Sequence, residues 1–410
     1  MTTVPTRPLG LRENLGPFLQ QLLQVFFVGL TIGLQRTVIP AMAETEFGVA
    51  QGSIASLFAF VVSFGLVKGA MNFVSGRLSD SVGRRKVLIW GWLVALPIPF
   101  VILLTPSWGW IVAANVLLGI NQGFCWSMTV TAKFDIARSD QRGLATGVNE
   151  FAGYGGVAIA GLATGYLASQ FDPRTALFAF GLIVNLLALV AAILAFAETR
   201  PPVGAAKVPA VSAKSIFALV SWRSRDFQAL SQAGSVEKFV DALMWALVPV
   251  YLAAQGVALV TIGWITATYG LVWGASQLWT GPLSDRIGRK LPIVAGFAIC
   301  TAGVAAFPLL SAPFAWAGAA AVTGVGMALL YPNLIASVAD LAQPEWRGAA
   351  LGVYRFWRDL GYAFGALAIG LVADASGYLE TGFWLTAGAM ALSGLWLLLG
   401  FTETHRPQKD

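Results

Sequence analysis

A short polar stretch occurs twice in this chain, each time between two long apolar runs. The first copy covers residues 76–86 and includes Asp80 and Gly83, and the second covers residues 281–290 and includes Asp285. The copies start 205 residues apart, which is half of the 410-residue chain. Each combines a carboxylate, a glycine that permits positive φ and two or three cations, and this predicts a tight turn. The chain is therefore expected to fold as two related halves.

The composition limits where such a chain can reside. Hydrophobic residues make up 57% of it and charged residues only 11%, against about 25% charged residues in soluble domains. Most of the surface must face lipid, so the sequence predicts a protein of the lipid bilayer. The net charge of +6 is spread over many short loops, which is typical of a membrane protein and predicts no nucleic-acid partner.

Few residues are suited to catalysis or metal binding. Cys125 and Cys300 both lie inside apolar runs, and the one histidine, His405, lies in the C-terminal tail. The cysteines and the histidine are too far apart in sequence to show the spacing of a metal site. No nucleophile–base pair is visible, so we expect no enzyme activity, no metal and no cofactor.

Twelve apolar stretches are each near the ~20 residues that cross a bilayer as a helix. They lie at about 17–42, 51–75, 87–105, 109–133, 143–169, 175–197, 227–253, 260–280, 291–310, 313–337, 348–373 and 380–401. The predicted fold class is an all-α polytopic membrane protein with twelve transmembrane helices. Residues 1–200 are expected to form one six-helix bundle, residues 201–225 a linker, and residues 226–410 the second bundle.

The repeat extends beyond the polar turns. At the same offset Asp135 matches Asp340, Arg142 matches Arg347, and Glu198 matches Glu403. Parallel six-helix repeats, related by an axis along the membrane normal, are typical of transporters. The two bundles are therefore predicted to be pseudo-symmetric.

Loop charges predict the orientation. Most lysines and arginines lie in the termini, in the linker and in the loops after even-numbered helices. The six exceptions are Arg36, Lys68, Arg174, Lys238, Arg355 and Arg358. Because cytoplasmic loops are enriched in lysine and arginine, both termini are expected in the cytoplasm of a cell whose inner membrane the chain spans.

The duplicated turn resembles the signature loop between helices 2 and 3 in each half of the major facilitator superfamily. The resemblance implies a monomeric twelve-helix transporter that works by alternating access. It also implies that each turn aspartate meets the start of helix 11 or helix 5 and closes the cytoplasmic side. The gating residues would be Gly76, Asp80, Gly83, Arg84, Arg85, Gly281, Asp285, Gly288, Arg289 and Lys290.

Charges inside the bilayer are costly and so point to function. Arg36 lies late in helix 1 and Asp241 lies at a related position in helix 7, each ahead of a proline, Pro40 or Pro249. In the superfamily these helices line the central cavity, so both side chains are expected to face it. The alternative is a structural Arg–Asp pair between the halves.

A second pair lies in helices 5 and 11. Glu150 and Arg355 occupy equivalent positions, 205 residues apart. Asp359 lies one turn after Arg355, so these two are expected either to act at the site or to neutralise each other. A carboxylate held away from water can exchange a proton near neutral pH. Glu150, Asp241 and Asp359 are thus the predicted proton-coupling residues, with Glu150 favoured because no cation lies near it on its own helix.

The substrate-binding prediction adds neutral residues on the same helices. The full set is Arg36, Gln35, Asn121, Gln122, Trp126, Asn149, Asp241, Trp245, Tyr331, Asn333 and Arg355. Three other embedded charges are expected to be structural. Lys238 is the predicted intrahelical partner of Asp241, and Glu237 either extends to the interface or pairs locally. Lys68 is expected either to pair with helix 11 across the interface or to contact an anionic substrate.

The predicted function is secondary transport of a small anionic or amphiphilic molecule, with Arg36 as its anchor and protons as the coupling ion. One alternative is efflux of hydrophobic cations or drugs, although helix 5 has glycines at 153, 155 and 156 but no proline. A remoter alternative is a membrane sensor or assembly factor that does not transport. The chain has no P-loop for ATP.

Overall fold

The computed structural model describes residues 9–47, 54–200 and 212–405. Within these ranges the chain is helical and has no strand. A bilayer offers no water to the backbone, and helices satisfy their own N–H and C=O groups. Nine helical stretches in the described ranges are long and apolar enough to cross a membrane. The fold is that of twelve spans in two six-helix bundles.

The first bundle contains seven helical segments that make six spans. They are α1 (Leu15–Glu46), α2 (Ile54–Val82), α3 (Arg84–Ala95), α4 (Pro97–Leu104), α5 (Trp108–Ile136), α6 (Arg142–Gln170) and α7 (Pro173–Leu194). α3 and α4 form one span, broken before Pro97. Proline has no N–H to donate and tolerates only the first turn of a helix, so α4 restarts at that residue.

A short connector, α8 (Ala213–Ala218), continues as a π-helical turn over Leu219–Arg223. Of the predicted linker, residues 201–211 lie outside the described part of the chain. The connector leads directly into the second bundle.

The second bundle repeats the pattern of the first. It contains α9 (Arg225–Ala242), a π-helical turn (Leu243–Leu247), α10 (Val248–Ala254), α11 (Leu259–Ile287), α12 (Lys290–Ala306), α13 (Pro313–Leu341), α14 (Arg347–Ser376) and α15 (Glu380–Gly400). α9 and α10 form one span, interrupted ahead of Pro249.

Helix contacts follow the sequence repeat. α1 packs on α6 as α9 packs on α14, and α2 packs on α5 as α11 packs on α13. The bundles meet chiefly where α2 packs on α14 and where α6 packs on α11. These two contacts are also related by the repeat, because α2 corresponds to α11 and α6 to α14.

The polar stretches are more helical than expected. α2 continues to Val82 and α11 to Ile287, so only the following glycines make the turn. Gly83 has φ 100° and Gly288 has φ 95°. A Cβ atom on Gly83 would lie 2.2 Å from a carboxylate oxygen of Glu198. Glycine is therefore needed at this turn both for its backbone angle and for space.

Both described ends of the chain lie on one face of the bundles, together with the two turns. Here called the terminal face, it also holds the α5–α6 and α13–α14 loops. The backbone N–H of Gly10 donates to the carbonyl of Ile136, and the carboxylate of Glu403 accepts from the backbone N–H of Arg289 at 2.8 Å. Arg174 lies on the opposite face and pairs with Glu46 at 3.1 Å.

On that opposite face Asp172 caps α7. Its carboxylate accepts hydrogen bonds from the backbone N–H of Thr175 at 2.8 Å and from the Thr175 hydroxyl at 2.7 Å. The bond from the hydroxyl, supported by the backbone bond, lowers the pKa of this carboxyl group. The cap fixes where the sixth span begins.

Candidate functional site

Side chains of five helices meet around a small cavity between the two halves. α14 places Arg355, Arg358 and Tyr362 at spacings of three and four residues, which puts them on one side of the helix. α6 contributes Glu150 and Tyr154 at the same kind of spacing. With side chains of α1, α2 and α5 they enclose a cavity of about 10 Å³, lined by Ile32, Lys68, Trp126, Glu150, Tyr154, Arg355, Arg358 and Tyr362. A space of this size holds about one water molecule and is too small for an organic molecule in this conformation.

An ion pair joins the halves beside this cavity. Nζ of Lys68 on α2 lies 3.5 Å from Oδ2 of Asp359 on α14. Nη1 of Arg358 lies 3.3 Å from the other carboxylate oxygen of Asp359. The sequence allowed Asp359 to neutralise Arg355, but the structure pairs it with Lys68 and Arg358. Of the two alternatives for Lys68, the structure shows the pairing with helix 11, which is α14.

The ion pairs continue into the second bundle. Glu237 accepts two hydrogen bonds from Arg358, at 3.1 and 2.9 Å. Lys238 lies 3.4 Å from Glu237 and 2.5 Å from Asp241, and Asp241 also accepts from the Tyr269 hydroxyl at 2.6 Å. The predicted Lys238–Asp241 pair is confirmed. Glu237 does not extend to the interface, because it is fully buried against an arginine of another helix.

Arg355 differs from the other cations at the cavity. Its Nη1 donates to the Tyr331 hydroxyl at 3.2 Å, and its Nε has no hydrogen-bond partner among the described residues. No carboxylate in the described part of the chain lies within 4.0 Å of it. The side chain is 2% exposed. A buried guanidinium without an acid is a strong site for an anion.

Glu150 is the corresponding acid. One of its carboxylate oxygens accepts from the Trp126 indole N–H at 2.9 Å and from the Asn149 amide at 2.8 Å. No lysine or arginine of the described ranges lies within 4.0 Å of it. Of the three predicted proton-coupling residues, only Glu150 both lines the cavity and lacks such a cation. Asp241 forms an ion pair with Lys238, and Asp359 forms one with Lys68.

Two important polar residues were not singled out by the sequence. Lys133 was counted among the loop cations, but it lies buried in α5 and donates to the Asn149 amide oxygen at 2.8 Å. Asn72 on α2 donates to Asp359 at 2.6 Å, and its amide oxygen accepts from Ser127 at 2.7 Å. Asn72 lies one turn from Lys68, and this spacing was the signal that could have found it.

Aromatic rings surround the charged groups. Tyr154 lies 5.8 Å from Trp126 and 4.1 Å from Trp273, measured between ring centroids. Trp245 stacks on Tyr362 at 5.4 Å. Trp126 thus lines the cavity, whereas Trp245 does not line it but packs against Tyr362, which does.

The other predicted site residues are placed differently. Asn121, Gln122 and Asn333 donate to backbone carbonyls within their own bundles and do not line the cavity. Short polar side chains on tightly packed helices are used to satisfy neighbouring backbone in this way. Gln35 and Arg36 belong to α1, but their side chains lie outside the described part of the chain.

Two related contacts, here called the latches, join the halves at the terminal face. In the first, Asp80 accepts from Arg84 at 2.7 Å and from the backbone N–H of Ala349 at 2.8 Å. In the second, Asp285 accepts from Arg289 at 2.5 Å and from the backbone N–H groups of Gly143 and Leu144, both at 2.9 Å. Each aspartate binds the N-terminal end of a helix in the other half, where the helix dipole favours an anion.

The latches are supported by a second layer of ion pairs. Arg84 binds Asp135 at 2.9 Å, and Arg289 binds Asp340 at 3.1 Å. Asp340 also receives Arg142 from the other half at 2.6 Å, whereas Arg347, the counterpart of Arg142, donates to the carbonyl of Phe134 at 3.4 Å. The second latch therefore makes more bonds between the halves than the first.

Two further predicted gating residues, Arg85 and Lys290, make bonds within their own half. Arg85 donates through its side chain to the carbonyl of Ile193, within its own half. Its backbone N–H, like that of Lys290, donates to a glutamate that follows the sixth span of its half, Glu198 or Glu403. The glutamates thus hold each turn against its own bundle.

Comparisons with known proteins agree with this architecture. A family model described as the Major Facilitator Superfamily matches residues 22–236 and 230–410. An uncharacterized MFS-type transporter of Salmonella typhimurium is 27% identical over 395 residues, which are 90% of this chain and 92% of the relative. A Burkholderia mallei MFS-type transporter is 27% identical over 384 residues, 90% of this chain and 88% of the relative.

Two solved structures share the fold. The human organic anion transporter MFSD10 superposes with a TM-score of 0.78 and 16% identity, over 93% of this chain and 98% of its own. The proton:xylose symporter XylE superposes with a TM-score of 0.76 and 14% identity, over 95% and 96% of the two chains.

Proposed function

The chain belongs to the major facilitator superfamily, and from that premise we propose that it carries a small organic anion together with a proton by alternating access. The observation that carries the proposal is the pair of charges at the central cavity. Arg355 from one half and Glu150 from the other line the same small space, and neither has an oppositely charged partner within 4.0 Å in the described ranges.

The charge balance of the cavity supports coupling. Lys68 is balanced by Asp359, and Arg358 by Glu237. Among the charges that line the cavity, this leaves Arg355 and Glu150 to balance each other. When Glu150 binds a proton, Arg355 becomes the uncompensated charge, and a carboxylate of the substrate can take its place. One proton and one anionic group then bind together, which is symport.

The anchor differs from the residue that the sequence favoured. Arg36 was the predicted anchor, whereas the described geometry supports Arg355, whose unpartnered Nε is buried beside the cavity. The apolar part of the substrate would contact Trp126 and Tyr154. Two proteins of the same fold, the organic anion transporter MFSD10 and the proton:xylose symporter XylE, support the two parts of the proposal.

Orientation and location follow from the loop charges. The terminal face holds both described ends of the chain and the basic turns, and we place it in the cytoplasm, with the chain in the inner membrane. The closed latches then mean that the cytoplasmic side is shut in this conformation. Both halves and the whole cavity belong to one chain, so a monomer is the proposed working unit.

Efflux of a hydrophobic cation is the second candidate. The observation that favours it is that Glu150 lines the cavity together with Trp126 and Tyr154, since aromatic rings with an acid bind organic cations. In that case Glu150 would exchange its proton for the cation, and Arg355 would be dispensable.

Thermal-shift screening of the purified protein separates the two candidates. Monocarboxylates with an aromatic or aliphatic body should raise the melting temperature, because a ligand that binds only the folded state stabilises it. Arg355→Gln should weaken binding of the best carboxylate by about 30-fold, as expected for loss of a charged hydrogen bond. Lys86→Gln, an exposed cation of the terminal face, is the control.

Proteoliposome flux completes the test. Uptake of that carboxylate should rise when the outside is acidified and should be lost in Arg355→Gln. The proposal is wrong if Arg355→Gln transports the anion as well as Lys86→Gln does. Stabilisation by lipophilic cations alone, retained in Arg355→Gln, would favour efflux. Absence of any flux would favour a sensor or assembly factor.

A further inference from the structure

The connector between the bundles forms one wall of a groove on the terminal side. The groove has a volume of about 640 Å³ and lies between α2 and the connector. Its lining is mostly apolar and includes Phe73 of α2 with Phe217, Ala218 and Trp222 of the connector. Nothing in the proposed transport cycle uses this groove.

The connector is fixed to the second half, whereas the opposite wall of the groove belongs to the first. The Trp357 indole N–H on α14 donates to the Ser221 hydroxyl at 2.8 Å. Phe217 packs against Phe356 of α14 at 5.6 Å and against Phe73 of α2 at 5.3 Å. The groove therefore lies along the seam between the bundles.

The length of α2 is compatible with a groove near the boundary between lipid headgroups and acyl chains. α2 has 29 residues, so it rises about 44 Å and exceeds the ~30 Å hydrocarbon core. Phe73 lies nine residues before its end at Val82, about 14 Å below it. Arg77 and Asp80 occupy the part between. Trp222, which is 57% exposed, suits the same boundary, where tryptophan is enriched.

Two cations stand at the rim of the groove. Lys214 and Arg223 line it and are exposed. Neither makes an ion pair within the described ranges. The preceding segment cannot neutralise them, because residues 201–211 contain Lys207 and no acid. Apolar lining residues next to two cations are complementary to an occupant that has an apolar tail and an anionic head.

We propose that this groove binds an anionic phospholipid of the cytoplasmic leaflet. Its phosphate contacts Lys214 and Arg223, and one acyl chain lies along Phe73 and Phe217. Surface cations attract anionic lipids, and the groove supplies the apolar area that a lipid chain needs in order to remain bound. The inference stands apart from the identity of the transported molecule.

Native mass spectrometry of the full chain tests the proposal. The protein is released from detergent in the presence of equal amounts of phosphatidylglycerol and phosphatidylcholine. The wild type should retain phosphatidylglycerol preferentially. The double variant Lys214→Gln/Arg223→Gln should bind it about 30-fold more weakly, from the loss of two basic contacts.

Two further variants make the result specific. Lys86→Gln/Arg286→Gln removes two exposed cations of the same face, outside the groove, and should bind phosphatidylglycerol within about two-fold of the wild type, since surface charges away from a site are screened. Ala213→Trp fills the groove without a change of charge and should also weaken binding. A melting curve checks that each variant is folded.

Three outcomes would overturn the proposal. One is equal retention of the two lipids by the wild type. Another is equal weakening by the two double variants, which would mean that only the overall charge matters. The third is full phosphatidylglycerol binding by the folded Ala213→Trp variant, which would place the lipid elsewhere.

Discussion

Gly143 and Gly281 face each other across the halves with no side chain between them. A Cβ atom on either glycine would lie 2.3 Å from the carbonyl oxygen of the other. The backbones of α6 and α11 are therefore in direct contact beside the Asp285 latch. Gly76 makes the same kind of contact with α14, since its Cβ would lie 2.4 Å from the Gly348 carbonyl oxygen.

A methyl group at this contact should open the terminal face. Gly281→Ala places Cβ too close to the α6 backbone, so α6 and α11 must move apart and the closed state becomes less populated. We expect faster labelling of a cysteine at Thr146, which is buried here, in a background with Cys125 and Cys300 replaced by serine.

The control for this change lies on the same helix. A Cβ on Gly270 meets no atom within 4 Å, so Gly270→Ala should leave labelling unchanged and favour the helix by up to about 1 kcal/mol. Equal labelling in both alanine variants would show that the glycine contact does not set the closed state.

Removing one member of the Lys68–Asp359 pair should destabilise the fold. Asp359→Asn leaves the lysine buried without its acid, which costs about 3–5 kcal/mol in comparable pairs. The double variant Lys68→Met/Asp359→Asn removes both charges and should recover much of the loss. The free energy of unfolding, from denaturant titration, measures both effects.

An exposed pair provides the comparison. Arg138 lies 3.6 Å from Glu13 with both side chains more than 40% exposed. Arg138→Gln should therefore cost less than about 1 kcal/mol. A loss in Asp359→Asn no larger than this, or none recovered in the double variant, would contradict a buried ion pair.

Glu150→Gln should separate exchange from proton-driven accumulation. The glutamine oxygen can still accept from the Trp126 indole N–H, now at 2.9 Å from the carboxylate, but the side chain can no longer bind or release a proton. We expect exchange of substrate across proteoliposomes to continue, while uptake no longer responds to a pH gradient.

Glu150→Asp keeps the ionisable group and is the matched variant. It should retain a response to the gradient, although the shorter chain weakens the bond to the indole. Unchanged gradient-driven uptake in Glu150→Gln would move the coupling role to another acid.

The two latch aspartates should differ in their contribution. Asp285 accepts from two backbone N–H groups of the other half, and Asp80 from one. Asp285→Asn should therefore slow transport and speed labelling at the cysteine probe more than Asp80→Asn does. The reverse order would mean that these backbone bonds do not set latch strength.

The Asp172 cap predicts a pH effect on stability. Hydrogen bonds from Thr175 lower the pKa of this carboxyl group in the folded state. Its contribution is therefore present above the unfolded pKa and is lost as the pH falls through the folded pKa. The melting-temperature difference between wild type and Asp172→Asn should be present at pH 7 and shrink below about pH 4. Thr175→Val should behave likewise, and a difference independent of pH would refute the cap.

Much of the fold followed from the repeated motif. The motif predicted two bundles, and the aspartates do meet the starts of α14 and α6. Helix ends were less predictable. The hydroxyl of Ser79 donates to the carbonyl of Gly76 and accepts from Arg84, so this polar residue is accommodated within α2, which continues to Val82. Apolar runs reveal the part of a helix that lies within the bilayer. They do not reveal how many polar residues continue the same helix beyond it.

The site was only partly predictable for a similar reason. Lys238 and Asp241 lie on one helix, where spacing reveals a pair. The partners Lys68 and Asp359 lie on different helices, so their pairing depends on how α2 and α14 pack. Lys133 looked like a loop cation because it lies near the end of α5, and only the packing of α6 over it shows that it is buried.

The buried charges of the ion-pair cluster are divided unevenly between the two bundles. Glu237, Lys238, Asp241, Arg358 and Asp359 all belong to the second bundle, and their mutual bonds stay intact when that bundle rotates as a unit. Within the described ranges, Lys68 and Asn72 are the side chains of the first bundle that reach this cluster. The contribution of this buried cluster to the speed of cycling should then depend on one small region of α2, so that natural variants tuned for faster or slower turnover would be expected to differ there as well as at the latches.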